Sequence, residues 1–139
     1  MIVSSAFSGK RYAVLGLARS GMATVEALLA SGADVTAWDR RPGPCEDLAG
    51  RVTVADPLAI DLAGFDGVVL SPGVPLNTHP IAERARAAGA PLIGDIELFA
   101  QARADMPKHK VVGITGTNGK STTTALVNHL LNAAGYPAR

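Results

Sequence analysis

Lys120 and Ser121 are the residues with the clearest chemical capability. They stand in the run Thr115-Gly-Thr-Asn-Gly-Lys-Ser-Thr122. A lysine is a compact, movable point charge suited to the outer phosphates of a nucleotide. A hydroxyl beside it is a hard oxygen donor for a Mg²⁺ ion that the nucleotide carries. These two are the expected catalytic residues, with Ser121 as the metal ligand. Gly116 and Gly119 are able to take positive φ angles that turn successive N–H groups inward. Such a nest, backed by a helix N-terminus, binds phosphate. Thr115, Gly116, Thr117, Asn118, Gly119, Lys120, Ser121 and Thr122 therefore form a candidate phosphate loop. The general pattern G-x-x-x-x-G-K-[ST] does not fit, because Ile114 stands where its first glycine belongs. The competing explanation is a plain strand-turn-helix with an incidental lysine.

A second set of residues lies earlier. Gly16-Leu-Ala-Arg-Ser-Gly21 has a glycine at each end of a dinucleotide-type fingerprint, with Ala18 in place of the middle one. The middle glycine is what lets a pyrophosphate approach the backbone, so Ala18 weakens the reading as an NAD(P) site. Asp39 ends the next strand, where an acid can bond ribose hydroxyls or a base edge. Arg40 and Arg41 favour phosphate or a planar polar ring. Ser71-Pro-Gly73 follows another strand and belongs at the same carboxyl-terminal sheet edge, where open α/β sheets bind ligands. Arg19, Ser20, Asp39, Arg40, Arg41, Ser71 and Gly73 are thus candidates for a nucleotide-type pocket. Ordinary turn and capping chemistry is the alternative. Asp95 and Glu97 are two residues apart on a helix and do not share a face. Asp95 reads as an N-cap.

The elements that must position these residues alternate between strand and helix. Tyr12 to Leu15 reads as a buried strand, followed by a helix that Ser20 caps and that starts at Gly21. Met22, Val25, Leu28 and Leu29 share a face of that helix, and Gly32 ends it. Val35 to Trp38 is the next strand, completing a β-α-β unit. Residues 42–50 read as a Pro/Gly-rich loop, which would put Cys45 on the surface as an inert thiol. Arg51 to Val54, Gly67 to Leu70 and Pro91 to Ile93 are further strands, with a short helical turn over Asp61 to Phe65. Pro80 opens a helix that runs to Ala88. Asp95 to Arg103 is a helix with Ile96, Leu98 and Phe99 as apolar contacts. Val111 to Ile114 reads as a strand leading into the phosphate loop. The helix after it carries Leu126, Val127, Leu130, Leu131 and Ala134 on one stripe. The expected fold is α/β: a Rossmann-like parallel sheet over residues 1–94, a helix and linker over 95–109, and the first strand-loop-helix of a P-loop ATPase domain over 110–139.

Composition narrows the function classes. The 139 residues carry a net charge of +1, so neither nucleic acid nor an acidic membrane is an expected partner. Aromatic residues make up 4%, too few for base-stacking platforms. One cysteine cannot form an intrachain disulfide and fits a reducing cytoplasm. The three histidines are far apart and show no metal-ligand spacing. No apolar run approaches the ~20 residues of a membrane span.

Thr115-Gly-Thr-Asn-Gly-Lys-Ser121 resembles the ATP loop of the Mur ligases and of folylpolyglutamate synthetase, which lacks a Rossmann-like domain ahead of it. Gly16-Leu-Ala-Arg-Ser-Gly21, Asp39-Arg-Arg41, Ser71-Pro-Gly73 and Gly94-Asp-Ile-Glu-Leu-Phe99 look like the Mur ligase branch that adds D-glutamate to UDP-N-acetylmuramoyl-L-alanine. Ala18 and Ser20 stand where members often have Gly and Thr. The resemblance implies that Arg19 and Ser20 meet the diphosphate and sugar, that Asp39, Arg40 and Arg41 surround the uracil, and that Gly73 lies against it. It also implies ATP and Mg²⁺ at Gly116 to Thr122, and amide formation through an acyl phosphate. Several elements of such an enzyme would lie beyond Arg139. The chain is therefore expected to be an amino-terminal fragment that does not ligate alone and whose exposed 110–139 segment is either mobile or packed against another copy. A non-catalytic nucleotide-binding module is the reading from another class.

Overall fold

The computed structural model describes residues 1–75 and 78–138. It has two compact units, Met1–Pro107 and Lys108–Arg139.

The first unit is a five-stranded sheet with strands β1 (Arg11–Leu15), β2 (Asp34–Trp38), β3 (Thr53–Val54), β4 (Gly67–Leu70) and β5 (Leu92–Gly94). Their order is β3-β2-β1-β4-β5, and every pairing is parallel. This is the Rossmann-like arrangement expected from the alternating pattern. Helices α1 (Arg19–Ala30), α2 (Pro42–Leu48), α3 (Ile81–Ala87) and α4 (Asp95–Ala102) connect or follow the strands.

The sheet is covered on both faces, which is why its strands read as unbroken apolar runs. Tyr12 and Val14 point into one core with Val25, Leu28, Val35, Leu48 and Leu98. Ala13 and Leu15 point into the other with Leu62, Val68, Leu70 and Ile81. Each large side chain so buried contributes roughly 1.5–3 kcal/mol relative to exposure. The chain start is tied in too: Phe7 packs edge-on against Tyr12, ring centroids 5.9 Å apart. Asp105 accepts hydrogen bonds from the Ser4 and Ser5 hydroxyls, 2.8 Å each.

Four local expectations are corrected. Residues 42–48 are helix α2, not loop. A proline at the first helical position loses only an N–H that would have no helical partner, so Pro42 opens the helix rather than preventing it. Cys45 and Leu48, three apart, then face the core, and Cys45 is buried. Helix α1 begins at Arg19, with Ala18 at the N-cap, so Ser20 lies inside the first turn and does not cap it. Asp95 is likewise the first residue of α4 behind an N-cap at Gly94. Ile96 is 75% exposed, because α4 buries Leu98 and Ala102, which lie four apart on the other face.

In the second unit, α5 spans Lys120–Ala133. Val111 to Ile114 forms no strand, since no ladder among the described residues pairs with it. Leu126, Leu130 and Leu131 are exposed along α5. None of the helices among the described residues is long and apolar enough to cross a membrane.

These burials predict a contrast. Leu28→Ala, at a side chain 1% exposed, should lower unfolding free energy by about 2–5 kcal/mol. Leu130→Ala, at 56% exposure, should change it by less than about 0.5 kcal/mol. Urea titrations followed through the single tryptophan, Trp38, measure the first, and the same titrations followed by far-ultraviolet circular dichroism, to which α5 contributes, measure the second.

Candidate functional site

Strand β1 pairs with β2 on one side and β4 on the other. The connection from β1 leaves toward β2, and the strand on the other side, β4, starts a connection running the opposite way to β5. The connections after β1 and β4 therefore run to opposite sides, the switch point at whose carboxyl edge open α/β sheets bind ligands in a crevice. Gly16 to Gly21 forms one wall and Ser71 to Val74 another, with Asp39 to Arg41 beyond the end of β2.

The turn after β1 requires its glycines. Gly16 has φ +90°, and a Cβ there would meet Ser71 Cβ at 3.0 Å. A Cβ on Gly21 would collide with the Gly16 carbonyl oxygen. That obstacle is backbone and cannot swing aside. The end of β1 is bonded on both sides: Gly16 N–H donates to the Trp38 carbonyl at 2.8 Å, and Ser71 N–H to the Leu15 carbonyl at 3.1 Å.

Asp39 is heavily engaged. Its Oδ2 accepts from Leu17 N–H at 2.7 Å, and its Oδ1 accepts from Arg41 N–H at 2.9 Å. The Arg41 guanidinium adds bonds of 3.1 and 3.2 Å. The Arg41 side chain beside it, together with these amides, holds the Asp39 carboxyl well below the usual carboxylate range despite partial burial. The Asp39 side chain is 11% exposed. Beneath it, Asp39 N–H donates to Cys45 Sγ at 3.4 Å. Ser71 is also engaged, its hydroxyl donating to the Gly16 carbonyl at 2.5 Å.

The structure thus divides the expected pocket residues. Arg19 and Arg40 are exposed, one in the first turn of α1 and one just after β2, and Ser20 is half-buried in the first turn of α1. A Cβ on Gly73 would meet nothing within 4 Å, so its backbone presents an open face. Asp39 and Ser71 are bonded to the Gly16–Leu17 turn, and Arg41 to Asp39. The Leu17 amide was not singled out by sequence reasoning; a backbone donor carries no residue-type signal. A cavity of about 540 Å³ lies between α1 and α4, lined by apolar residues such as Phe7, Leu28, Leu98 and Phe99. It reaches Ser20 but offers little for a charged ligand.

In the second unit, Gly116 (φ +143°) and Gly119 (φ +75°) take the positive angles expected of a nest, and Gly119 is the N-cap of α5. Lys120 Nζ donates to the Gly116 carbonyl at 2.6 Å and the Thr117 carbonyl at 3.4 Å. Its ammonium therefore rests on the loop itself. Ser121 and Thr122 are exposed in the first turn of α5. Amides, ammonium and hydroxyls of this kind are a donor set that fits phosphate and a hard cation.

Comparison with known proteins adds the following. Residues 10–94 match the family model described as Mur ligase MurD-like, N-terminal domain. A protein of Novosphingobium aromaticivorans named UDP-N-acetylmuramoylalanine–D-glutamate ligase is 74% identical over the whole of this chain, which spans 31% of that relative. One of the same name from Sphingopyxis alaskensis is 67% identical over 99% of the chain and 32% of its own length. The chain spans about a third of the length of the curated relatives it matches. Among solved structures, shikimate dehydrogenase from Aquifex aeolicus aligns with 69% of this chain and 46% of its own, at a TM-score of 0.50 and 19% identity. That likeness concerns the fold alone.

Two outcomes follow from the geometry. Gly21→Ala should gain about 1 kcal/mol of helix propensity but lose more to the backbone collision, for a net destabilisation of about 2 kcal/mol or more in urea. Asp39 contributes stability above its unfolded pKa of about 3.9, and that contribution is lost as pH falls below it. The drop in urea midpoint from about pH 6 to about pH 3 should therefore be smaller in Asp39→Asn than in the unaltered chain. Equal drops would show that the carboxylate is not selectively stabilised.

Proposed function

The chain belongs to the Mur ligase family, as a MurD-like member, and from that membership we propose that its first unit holds the uridine diphosphate of UDP-N-acetylmuramoyl-L-alanine. The observation that carries this reading is the crevice at the β1/β4 switch point. The first turn of α1, Arg40 and Gly73 each follow a strand at the sheet's carboxyl edge, and Arg19, Arg40 and the backbone of Gly73 are exposed. Amides that open a helix have no helical carbonyl to bond, and they favour anions. Arg19 and the amide and hydroxyl of Ser20 are assigned to the diphosphate and its sugar. Arg40 and Gly73 are assigned to the uracil, the guanidinium matching its planar polar edge. Asp39, Arg41 and Ser71 shape the walls around them.

The second unit is assigned to Mg²⁺-ATP. Thr115 to Thr122 would hold its phosphates, with Lys120 on the outer ones and Ser121 on the metal. ATP would supply the γ-phosphoryl group to the substrate carboxylate, leaving ADP and an acyl phosphate, from which the amine of D-glutamate would displace phosphate, losing a proton, to give the amide. The residues of the loop position the phosphates and neutralise charge as it develops in transfer. This makes the longer protein an ATP-dependent acid–D-amino-acid ligase of peptidoglycan precursor synthesis. Its D-glutamate site is assigned to no residue of this chain.

An NAD(P) site is the alternative of the same fold. Ala18 narrows the approach to the backbone. Calorimetry on the 139-residue chain should show binding of UDP-N-acetylmuramoyl-L-alanine and none of NAD. Arg40→Ala should weaken the first by about tenfold, the effect of losing one charge-assisted contact. Binding of NAD without the uridine compound would reverse the assignment.

A further inference from the structure

The amino-terminal edge of the sheet, opposite the edge assigned to the nucleotide, holds a cavity of about 500 Å³. Lys10, Asp66 and Pro91 line it, and they immediately precede β1, β4 and β5, which are neighbours in the sheet. Parallel strands start at one edge, so the topology brings these three residues together. Glu97 and Gln101 line the cavity from α4, four apart and therefore on one face. Tyr12 and Ile93 line it from within the sheet and are 1% and 6% exposed. Gly67 lets these two pack together, since a Cβ there would collide with Ile93 and come within 3.2 Å of the Tyr12 ring.

Two observations point to a ligand. The Tyr12 hydroxyl has no hydrogen-bond partner among the described residues, although the side chain is buried. A buried hydroxyl without a partner forgoes the bond it makes in water, which is costly. Burial, and then the nearby Asp66 carboxylate, push the Tyr12 phenol up, so it stays protonated and able to donate. The charges around the cavity are also unspent: among the described residues Lys10, Asp66 and Glu97 join no ion pair. Asp66 Oδ2 accepts from the Arg11 N–H at 2.8 Å, which fixes the carboxylate through one oxygen.

We propose that this cavity is a second ligand site, one for a zwitterionic α-amino acid with an apolar side chain. Asp66 and Glu97 take the ammonium, Lys10 and the Tyr12 hydroxyl take the carboxylate, and the side chain lies against Pro91 and Leu92. Both signs of charge at the rim disfavour a ligand of one sign. An amine leaves Lys10 unanswered, and an acid faces two carboxylates. The same two carboxylates disfavour an amino acid whose side chain is itself acidic. The site shares no residue with the proposed nucleotide crevice, so it stands or falls apart from that reading.

The experiment is an NMR titration of the ¹⁵N-labelled 139-residue chain with three probes. They are leucine as each enantiomer, isopentylamine, which lacks the carboxylate, and 4-methylpentanoate, which lacks the ammonium. Leucine at millimolar concentration should shift the amides of Lys10, Asp66, Leu92 and Glu97, with each one-charge analogue about tenfold weaker. Lys10→Ala should bring leucine down to the level of isopentylamine. Tyr12→Phe should weaken leucine about fivefold. It should leave the urea midpoint of the free chain unchanged or higher, because the hydroxyl it removes has no partner in the fold.

No shift at those amides with either enantiomer would overturn the proposal, as would equal affinity for leucine and both analogues. Unchanged leucine binding in Tyr12→Phe would overturn the role of the hydroxyl and show that it meets water alone. A lowered urea midpoint in that variant would show that the hydroxyl is already satisfied within the fold, and would overturn the premise.

Discussion

Strand β1 takes parallel partners along both of its edges, and the first unit depends on that double pairing. Tyr12 to Leu15 are registered against Val35 to Trp38 on one side and Gly67 to Leu70 on the other. A strand in that position has no solvent edge and no solvent face. Its side chains feed two cores in alternation, so its apolar run has no polar positions. The same placement decides which loops meet at the sheet's carboxyl edge. Connections leaving β1 and β4 run to opposite sides, and the loops that begin them meet where Ser71 bonds Gly16. The collision at Gly21 and the close approach at Gly16 are consequences of how tightly the first turn must fold back over that edge.

The polar groups at this edge are of two kinds. Some are consumed in holding loops together: Asp39 by Leu17 and Arg41, Ser71 by Gly16. Others remain outward: Arg19, Arg40 and the Gly73 backbone. A buried polar group left without a partner costs more than a satisfied one contributes, so the inward set is expected to be fully bonded before any ligand arrives. For the proposed uridine nucleotide that division would be preorganisation, because binding would not need to recruit the loops. The second unit has a simpler economy of contacts, a nest of positive-φ glycines and a lysine resting on its own loop carbonyls.

Much of this was legible in the sequence. Apolar runs marked β1, β2 and β4, the first closed by Gly16, and the stripe Val25, Leu28 marked the buried face of α1. The family followed from short motifs whose residue types are constrained by backbone geometry, and the match over residues 10–94 agrees with it. What was not legible depended on context. Pro42, Gly43 and Pro44 suggest a loop by type, yet Pro42 sits where a helix tolerates it and Leu48 has a core to fill. Ile96 looked buried because it is apolar, but the face of α4 was decided by Leu98 and Ala102. Val111 to Ile114 has strand composition, and a strand exists only where a partner supplies its hydrogen bonds. The engagement of Asp39 turned on a backbone amide, which no residue letter announces.

The central claim is that a uridine nucleotide occupies the β1/β4 crevice, not the apolar cavity between α1 and α4. Mapping UDP-induced amide shifts across the ¹⁵N-labelled chain tests it most directly. The account predicts that the large shifts fall at Ala18 to Gly21, Arg40 to Arg41 and Gly73 to Val74. Shifts confined to α4 and the Met1 to Phe7 segment, or absent from all three crevice loops, would contradict it.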